Sequence, residues 1–150
     1  MQTTQTLQNL YEQDFVAWCE ATVARLKAGQ LDQLDIENLI EEVDSLGKRD
    51  RRELTSRLRV LLAHLLKRLY VDMPENFNGW ELTIVEQRKQ IQALLKDSPS
   101  LRPYLAEIVA DVYLDSLDLV SIEYKQVVFP ETCPFAADTN GLLTQKYWAE

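Results

Sequence analysis

Polar side chains fall at several positions where the sequence pattern predicts the apolar face of a helix. At about 100° of rotation per residue, Asp14 lies within the apolar stripe of the first predicted helix, and Gln87 lies within that of the third. Arg57 and His64 run along one edge of the stripe of the longest predicted helix, and Glu42 borders the same stripe. Because an unpaired buried charge is strongly destabilising, we expect these side chains to meet one another.

The expected result is a buried polar cluster that links at least three helices. The candidate acceptors are Asp14 and Glu42, and the candidate donor is Arg57 or Arg88. Gln87 and His64 are the candidate bridging groups. In a structural interpretation, the cluster sets which helix packs where and in which register. In a functional interpretation, it binds a small molecule or a divalent metal ion between the helices.

The metal interpretation uses Asp14, Glu42 and His64, since carboxylates and histidine bind divalent metals in helical bundles. The usual signature of a dinuclear bundle site, Glu-x-x-His, is absent, and the chain contains 1 histidine. We therefore predict no metal site and no cofactor.

Catalytic signatures are also absent from the sequence. It contains no glycine-rich phosphate loop, no G-x-S-x-G motif and no Cys–His spacing that supports a nucleophile. Glu41 and Glu42 are adjacent, so on a helix they point about 100° apart and cannot serve one acid–base site. Cys19 and Cys133 lack a partner motif, so we interpret them as a structural thiol and a loop thiol. The sequence favours a protein that is not an enzyme.

The element that must position the polar residues is one long helix, from Asp35 to Asp72. Apolar residues at steps of three and four predict about ten turns, roughly 55 Å at ~1.5 Å per residue. Gly47 interrupts the pattern and Asp50 takes a stripe position, so we expect a kink there, or a break into two helices. The predicted inward stripe is Ile36, Leu39, Ile40, Val43, Leu46, Leu54, Leu58, Leu61, Leu62, Leu65 and Leu69.

A helix of this length needs partners along its stripe, so the predicted fold is all-α, a four-helix bundle in one domain over residues 1–150. After frayed residues 1–6, the first helix runs from about Leu7 to Lys27, with residues such as Phe15 and Leu26 facing inward. Asp32 or Asp35 is the expected N-cap of the long helix.

A loop containing Pro74 and Gly79 separates the long helix from the third, for which Asn78 and Glu81 have the form of a capping box. The third helix ends near residue 96, and the fourth opens at residue 98 or 100 and runs to about residue 125. Its stripe includes Leu119 and Ile122. Residues 126–150 are expected to form an irregular tail with one short helix near 138–143, docked by Trp148.

Bulk composition narrows the class of partner. The formal charge of -8 over 150 residues argues against general nucleic-acid binding, although a basic block could form a local contact. No apolar run reaches the length of a membrane span and the N-terminal sequence is polar, so we expect a cytoplasmic protein with no membrane partner. The members of the basic block are Lys48, Arg49, Arg51, Arg52 and Arg59.

Seven segments resemble a known family in the same order along the chain. They are Y-E-Q-D-F-x-x-W (11–18), L-D-x-x-N-L-I-E-E-V (34–43), S-L-G (45–47), R-L-R-V-L-L-A-H-L-L-K (57–67), W-x-x-T-I-x-E-Q-R (80–88), D-S-P-S-L-R-P (97–103) and F-P-E-x-C-P (129–134). The set resembles the bacterial domain-of-unknown-function family 29, common in cyanobacteria, over nearly the whole chain. The resemblance implies an all-helical fold and no assigned activity.

The family's recurring polar positions match Asp14, Asn38, Glu41, Glu42, His64, Lys67, Glu86, Gln87 and Arg88 in this chain. Several of them belong to the expected cluster, which the resemblance therefore supports without deciding its role.

Three functions compete at this point. The leading prediction is an interaction module that binds an unknown protein partner or associates with itself. The second is small-molecule or metal binding in a pocket lined by Asp14, Glu42, His64 and Arg88, and the third is nucleic-acid contact through the basic block.

Overall fold

Residues 4–135 and 139–149 are described by a computed structural model. Within them the chain forms six α-helices and two 3₁₀ turns, at Leu31–Gln33 and Pro74–Asn76. The helices are α1 (Thr4–Gln13), α2 (Phe15–Lys27), α3 (Ile36–Tyr70), α4 (Phe77–Asp97), α5 (Leu101–Glu123) and α6 (Thr139–Thr144). The predicted all-α class and the long central helix are confirmed.

Backbone contacts group the chain into two compact units. Unit 1 comprises Met1–Arg49 and unit 2 comprises Asp50–Glu150, so the boundary falls within α3. The single domain expected from the sequence stays a prediction.

Unit 2 is a helical bundle built on the second part of α3. Leucines at 54, 58, 61, 62, 65 and 66 are fully buried there, because steps of three and four place them on one side of the helix. Ile84 and Ile91 of α4 and Leu105 of α5 belong to the same core. The buried Ser116 hydroxyl of α5 donates to the carbonyl of Arg59 at 2.9 Å, which ties the two helices together at a polar point.

The C-terminal segment packs on unit 2 as predicted. Phe129 and Phe135 are buried in the core, and Trp148 packs against it. The Arg68 guanidinium lies over the rings of Phe77 and Trp148, 3.8 and 5.2 Å from their centroids. The short helix expected near 138–143 is observed as α6, Thr139–Thr144, and residue 138 lies outside the described residues.

Unit 1 is smaller and buries little. Among those of its side chains that the structure describes, Leu7, Trp18, Thr22, Leu34 and Asp35 are buried. Leu31 begins the 3₁₀ turn that connects α2 to α3, and Gly29 ends the α2 segment with a φ of 71°, a conformation that favours glycine.

Several predicted boundaries are wrong. The first helix is two helices, because Asp14 ends α1 and caps α2, and the first begins at Thr4 rather than Leu7. The long helix continues through Gly47 without a break, since one glycine costs only about 1 kcal/mol in a long packed helix. Asn78 and Glu81 form no capping box, because α4 already begins at Phe77.

The fourth helix begins at Leu101 after Ser100, the second of the two predicted starts, and ends at Glu123. Two residues of its predicted stripe, Leu119 and Ile122, are exposed. Near the end of α5 the apolar pattern is broader than the surface that its neighbours cover.

The first part of α3 departs most from the prediction. Ile36, Ile40, Val43 and Leu46 were expected in the core, yet 51 to 64% of each is exposed. Phe15 and Leu26 of α2, also expected inside, are 46% and 45% exposed. The apolar pattern is present, but no described element covers these side chains.

The difference in burial between the two parts of the protein predicts that truncating isoleucine to alanine lowers the free energy of unfolding by different amounts. Ile84→Ala should lower the free energy of unfolding by about 2–5 kcal/mol, because it opens a cavity in the core of unit 2. Ile40→Ala, at a side chain that is 64% exposed, should change it by less than about 0.5 kcal/mol. Urea titrations of dilute protein, followed by circular dichroism, measure both, and equal losses would contradict the exposure of Ile40.

Candidate functional site

Asp35 is the polar centre of unit 1. Its carboxylate is fully buried and accepts hydrogen bonds from the Trp18 indole Nε1 at 3.2 Å and from Asn38 Nδ2 at 2.7 Å. It also accepts from the backbone N–H of Asn38 at 3.4 Å, and the Asp35 carbonyl accepts the Leu39 N–H at 2.9 Å. Asp35 is therefore the N-cap of α3, one of the two predicted residues, and it joins α3 to α2.

Glu42 lies two turns further along α3, on the side that faces α1. The Tyr11 hydroxyl donates a hydrogen bond to its carboxylate. This bond to an anion, with a smaller contribution from burial, raises the pKa of Tyr11 to about 12. Glu42 thus holds α1 against α3. It accepts a hydrogen bond as predicted, but the donor is Tyr11, which the sequence did not indicate.

Asp14 does not lie in a core. Its side chain is exposed and accepts a hydrogen bond from the backbone N–H of Ala17 at 3.1 Å, which makes it the N-cap of α2. The prediction that Asp14 faces inward is wrong, because the wheel assumed one continuous helix through the residue at which the helix ends.

Arg57 and Gln87 are the two candidates that the structure brings together. Arg57 donates through Nε to Glu53 at 3.0 Å and through NH1 to the Gln87 side chain at 3.3 Å, which joins α3 to α4. Both side chains are half-buried, and a depression of about 260 Å³ lies beside them. Its lining residues are Glu53, Ser56, Arg57, Val60 and Gln87.

Arg88 binds the C-terminal segment rather than a carboxylate. It donates to the carbonyl of Leu142 at 3.1 Å and to that of Gln145 at 2.7 Å, where α6 ends. Burial lowers the pKa of Arg88. The side chain therefore satisfies carbonyl groups that have no partner within the short helix.

His64 is half-buried on α3, and its Nδ1 donates to the carbonyl of Val60 at 2.8 Å, one turn earlier. Burial lowers its pKa below the ordinary value of 6.5. The residue is a hydrogen-bonded neutral imidazole packed within unit 2.

The six candidates are therefore divided between the units. Asp14 and Glu42 belong to unit 1, and Arg57, His64, Gln87 and Arg88 belong to unit 2. Among the described residues, no group of three or more His, Cys, Asp or Glu side chains could hold a metal ion. The pocket expected from Asp14, Glu42, His64 and Arg88 stays a prediction.

Four basic side chains of α3 have partners within the chain, three of them from the basic block. Lys48 pairs with Asp44 at 2.7 Å, Arg59 pairs with Asp115 at 3.8 Å, and Arg51 lies over the Tyr104 ring at 5.1 Å. Arg57 pairs with Glu53, as described above. The prediction that nucleic-acid contact is not the main function stays a prediction.

A further feature, apart from these polar contacts, is a set of exposed apolar side chains that we call the apolar surface of unit 1. It comprises the nine large hydrophobic side chains of that unit that are at least 45% exposed: Phe15, Val16, Val23, Leu26, Leu31, Ile36, Ile40, Val43 and Leu46. Only Leu7, Trp18 and Leu34 of its described large hydrophobic residues are buried. Large exposed apolar side chains in such number are typical of a binding surface when they lie together. A shallow depression of about 400 Å³ on α2, beside Val23, belongs to it.

Sequence reasoning did not find this surface as a site, because it placed most of these residues in the core. It also missed the contact between Trp18 and Asp35. The only sequence signal for that contact is the N-cap position of Asp35, which does not identify a donor 17 residues earlier in the chain.

Asp35→Ala tests the polar centre of unit 1. The substitution should lower stability by roughly 3 kcal/mol, since it removes a helix cap and leaves the buried Trp18 N–H without its acceptor. Amide hydrogen exchange of Asn38 and Leu39 should speed up in parallel. Asp32→Ala, at an exposed carboxylate in the preceding turn, is the control and should leave exchange unchanged.

The lowered pKa of His64 predicts that the stability of the protein depends on pH. Its lowered pKa means that the unfolded chain takes up a proton more readily, so stability is complete above pH 6.5 and falls as the pH drops below that value. The single histidine resonance should titrate with a midpoint below 6.5.

The matched variant is His64→Gln, which keeps a donor for the Val60 carbonyl. It should lose the part of the stability slope that lies just below pH 6.5, measured by urea titrations across that range. A histidine midpoint above 6.5 would contradict the burial effect.

The comparisons with known proteins bear on the family of this chain. The sequence model described as "Domain of unknown function DUF29" matches residues 10–148. No curated protein and no solved structure matches the chain. No helix of the described residues is long and apolar enough to cross a membrane.

Proposed function

Because the chain belongs to the family described as domain of unknown function DUF29, whose description assigns no activity, we propose its function from its surface. The protein is an interaction module that binds another polypeptide on the apolar surface of unit 1. The observation that carries the proposal is the imbalance in unit 1, where nine large hydrophobic side chains are exposed and three are buried among the described residues.

The imbalance between exposed and buried side chains limits the free energy that stabilises unit 1. Burying apolar surface stabilises a fold by about 25 cal/mol per Å², and a unit of about 50 residues is only marginally stable by itself. Unit 2 distributes its hydrophobic residues differently, with seven large ones exposed among the described residues of a unit twice as long. The surplus of apolar surface is therefore specific to unit 1, and a partner that covers it stabilises the unit.

Charge favours a polypeptide over other partners. Unit 1 contains nine Asp and Glu residues but four Lys and Arg residues. Such an excess of carboxylates repels both nucleic-acid phosphates and anionic membrane surfaces. A protein surface with apolar side chains and a basic rim has the complementary chemistry.

Site-specific photocrosslinking tests the proposal in cells that produce the full chain. A photoreactive phenylalanine analogue at Val43, which is 60% exposed, should form a covalent adduct of defined mass with a polypeptide. The same analogue at Val85 of α4, 46% exposed on unit 2, is the matched control and should form none.

The adduct should disappear when Ile36→Gln and Ile40→Gln remove neighbouring apolar groups from unit 1. It should persist when Leu82→Gln removes a comparably exposed group from α4. Absence of an adduct at Val43, or equal labelling from Val85, would overturn the proposal.

A further inference from the structure

The apolar stripe of α3 is uncovered within unit 1. Ile36, Ile40 and Val43 follow one another at steps of four and three, so they lie on one side of the helix. Between 51 and 64% of each side chain is exposed. We call these three residues the α3 face. Their spacing is that of a helix surface that packs on another element, yet no described element covers them.

A row of carboxylates runs beside the α3 face. Glu37, Glu41 and Asp44 repeat the steps of four and three along one side of the stripe, and all three are exposed. Asp44 pairs with Lys48 at 2.7 Å, whereas Glu37 and Glu41 form no ion pair with a described residue. Like charges four residues apart weaken a helix, so a partner that brings cations to this row stabilises α3.

We propose that the α3 face binds an amphipathic α-helix of another polypeptide, one whose aliphatic stripe is flanked by Lys or Arg side chains. This inference rests on the proposed interaction function and specifies the conformation and charge of the partner. The aliphatic side chains of the partner cover the α3 face, and its cations lie beside Glu37, Glu41 and Asp44. One contact then buries apolar surface and neutralises the carboxylate row.

The local sequence selects the sign of the partner's charge. From residue 28 to residue 47 the chain contains six Asp and Glu residues and no Lys or Arg. The six are Asp32, Asp35, Glu37, Glu41, Glu42 and Asp44. Asp35 and Glu42 are engaged within the chain, by Trp18 and Tyr11. The exposed carboxylates that remain repel an acidic partner, including a second copy of the same segment.

Backbone hydrogen bonding selects a helix over an extended segment. Beyond its first turn, α3 uses its backbone N–H and C=O groups internally, because it is one continuous helix from Ile36 to Tyr70. An extended peptide pressed onto the α3 face would leave its own backbone groups without partners where the contact excludes water. A helix satisfies these groups internally and presents side chains at the same steps of three and four.

Peptide binding to the full chain tests the proposal. The probe is a labelled synthetic peptide in which Leu forms the stripe of an amphipathic helix and Lys flanks it. The controls are the same peptide with Glu in place of Lys, and a scrambled peptide of the same composition. The α3 face spans only about 10 Å at ~1.5 Å per residue, so the probe should bind with a dissociation constant on the order of 50 μM.

Fluorescence anisotropy over about 1 to 300 μM protein measures this binding, and circular dichroism measures the helix that the probe forms. Both control peptides should bind at least about tenfold more weakly, because one has the wrong charge and the other has no continuous stripe. Equal binding of either control peptide would overturn the proposal.

Charge-neutral variants test the carboxylate row. Glu37→Gln with Glu41→Gln should weaken binding of the Leu–Lys probe by about 3- to 10-fold at low ionic strength, and the difference should vanish near ~1 M salt. Glu107→Gln with Asp111→Asn, at two exposed carboxylates with the same spacing on α5, is the matched control and should leave binding unchanged. Equal losses in the two variants would overturn the assignment to α3.

An apolar variant tests the α3 face itself. Ile40→Gln should weaken binding of the probe at low and at high salt, because the lost contact is hydrophobic. Leu82→Gln, at a side chain that is 59% exposed on α4, is the matched control and should bind as the unsubstituted chain does. Unchanged binding by Ile40→Gln would overturn the proposal.

The photo-adduct at Val43 separates this inference from the proposed function. In cells, the adduct should weaken when Glu37→Gln and Glu41→Gln are introduced together. If the Leu–Lys probe fails to bind, or the adduct persists unchanged in that variant, the cationic helix is overturned and the interaction function stands with a partner of different chemistry. Absence of the adduct from the chain without these substitutions overturns the proposed function, and this inference with it.

Discussion

Unit 2 depends on one constraint, the burial of the leucine stripe that α3 carries from Leu54 to Leu66. A fully buried leucine contributes about 1.5–3 kcal/mol relative to an exposed one, and this stripe contains six of them. Helices α4 and α5 and the aromatic residues of the C-terminal segment contribute side chains to the same hydrophobic core. The other contacts of unit 2, such as the bond from Ser116 to the Arg59 carbonyl, adjust a packing that the stripe imposes.

Unit 1 depends on a polar contact instead. The buried Asp35 carboxylate caps α3 and accepts the Trp18 N–H, so one side chain both starts a helix and holds a second helix against it. The hydrogen bond from Tyr11 to Glu42 repeats this role for α1. These hydrogen bonds to carboxylates join α1 and α2 to α3 without burying much apolar surface. Large apolar side chains of α2 and of the first part of α3 are left exposed, and these carry the proposed interaction.

The polar residues of unit 2 act mainly as anchors between segments distant in sequence. Arg57 joins α3 to α4 through Gln87, and Arg88 holds the end of α6 through two backbone carbonyls. Their hydrogen-bonding partners are amide groups, in addition to the single carboxylate of Glu53. Such contacts fix register between helices, which is the structural interpretation of a buried polar group.

Local pattern was sufficient to predict an all-helical chain and the position of its longest helix, because the period of apolar residues is a property of neighbouring positions. It predicted the long helix, Asp35 as one of two alternative caps, the irregular tail and the docking of Trp148. It failed at Asp14, where a cap residue ends one helix and starts the next, since helical periodicity alone does not reveal a change of phase.

Tertiary structure alone decided which part of the stripe is covered. Ile40 and Leu61 both lie on the predicted apolar stripe of one continuous helix, yet the first is 64% exposed and the second is fully buried. Periodicity states which side of a helix is apolar, whereas burial depends on whether another element reaches that side. For the same reason the partners of Glu42 and Arg88 were beyond the sequence, because a hydrogen bond between distant segments depends on where the packed helices bring their side chains.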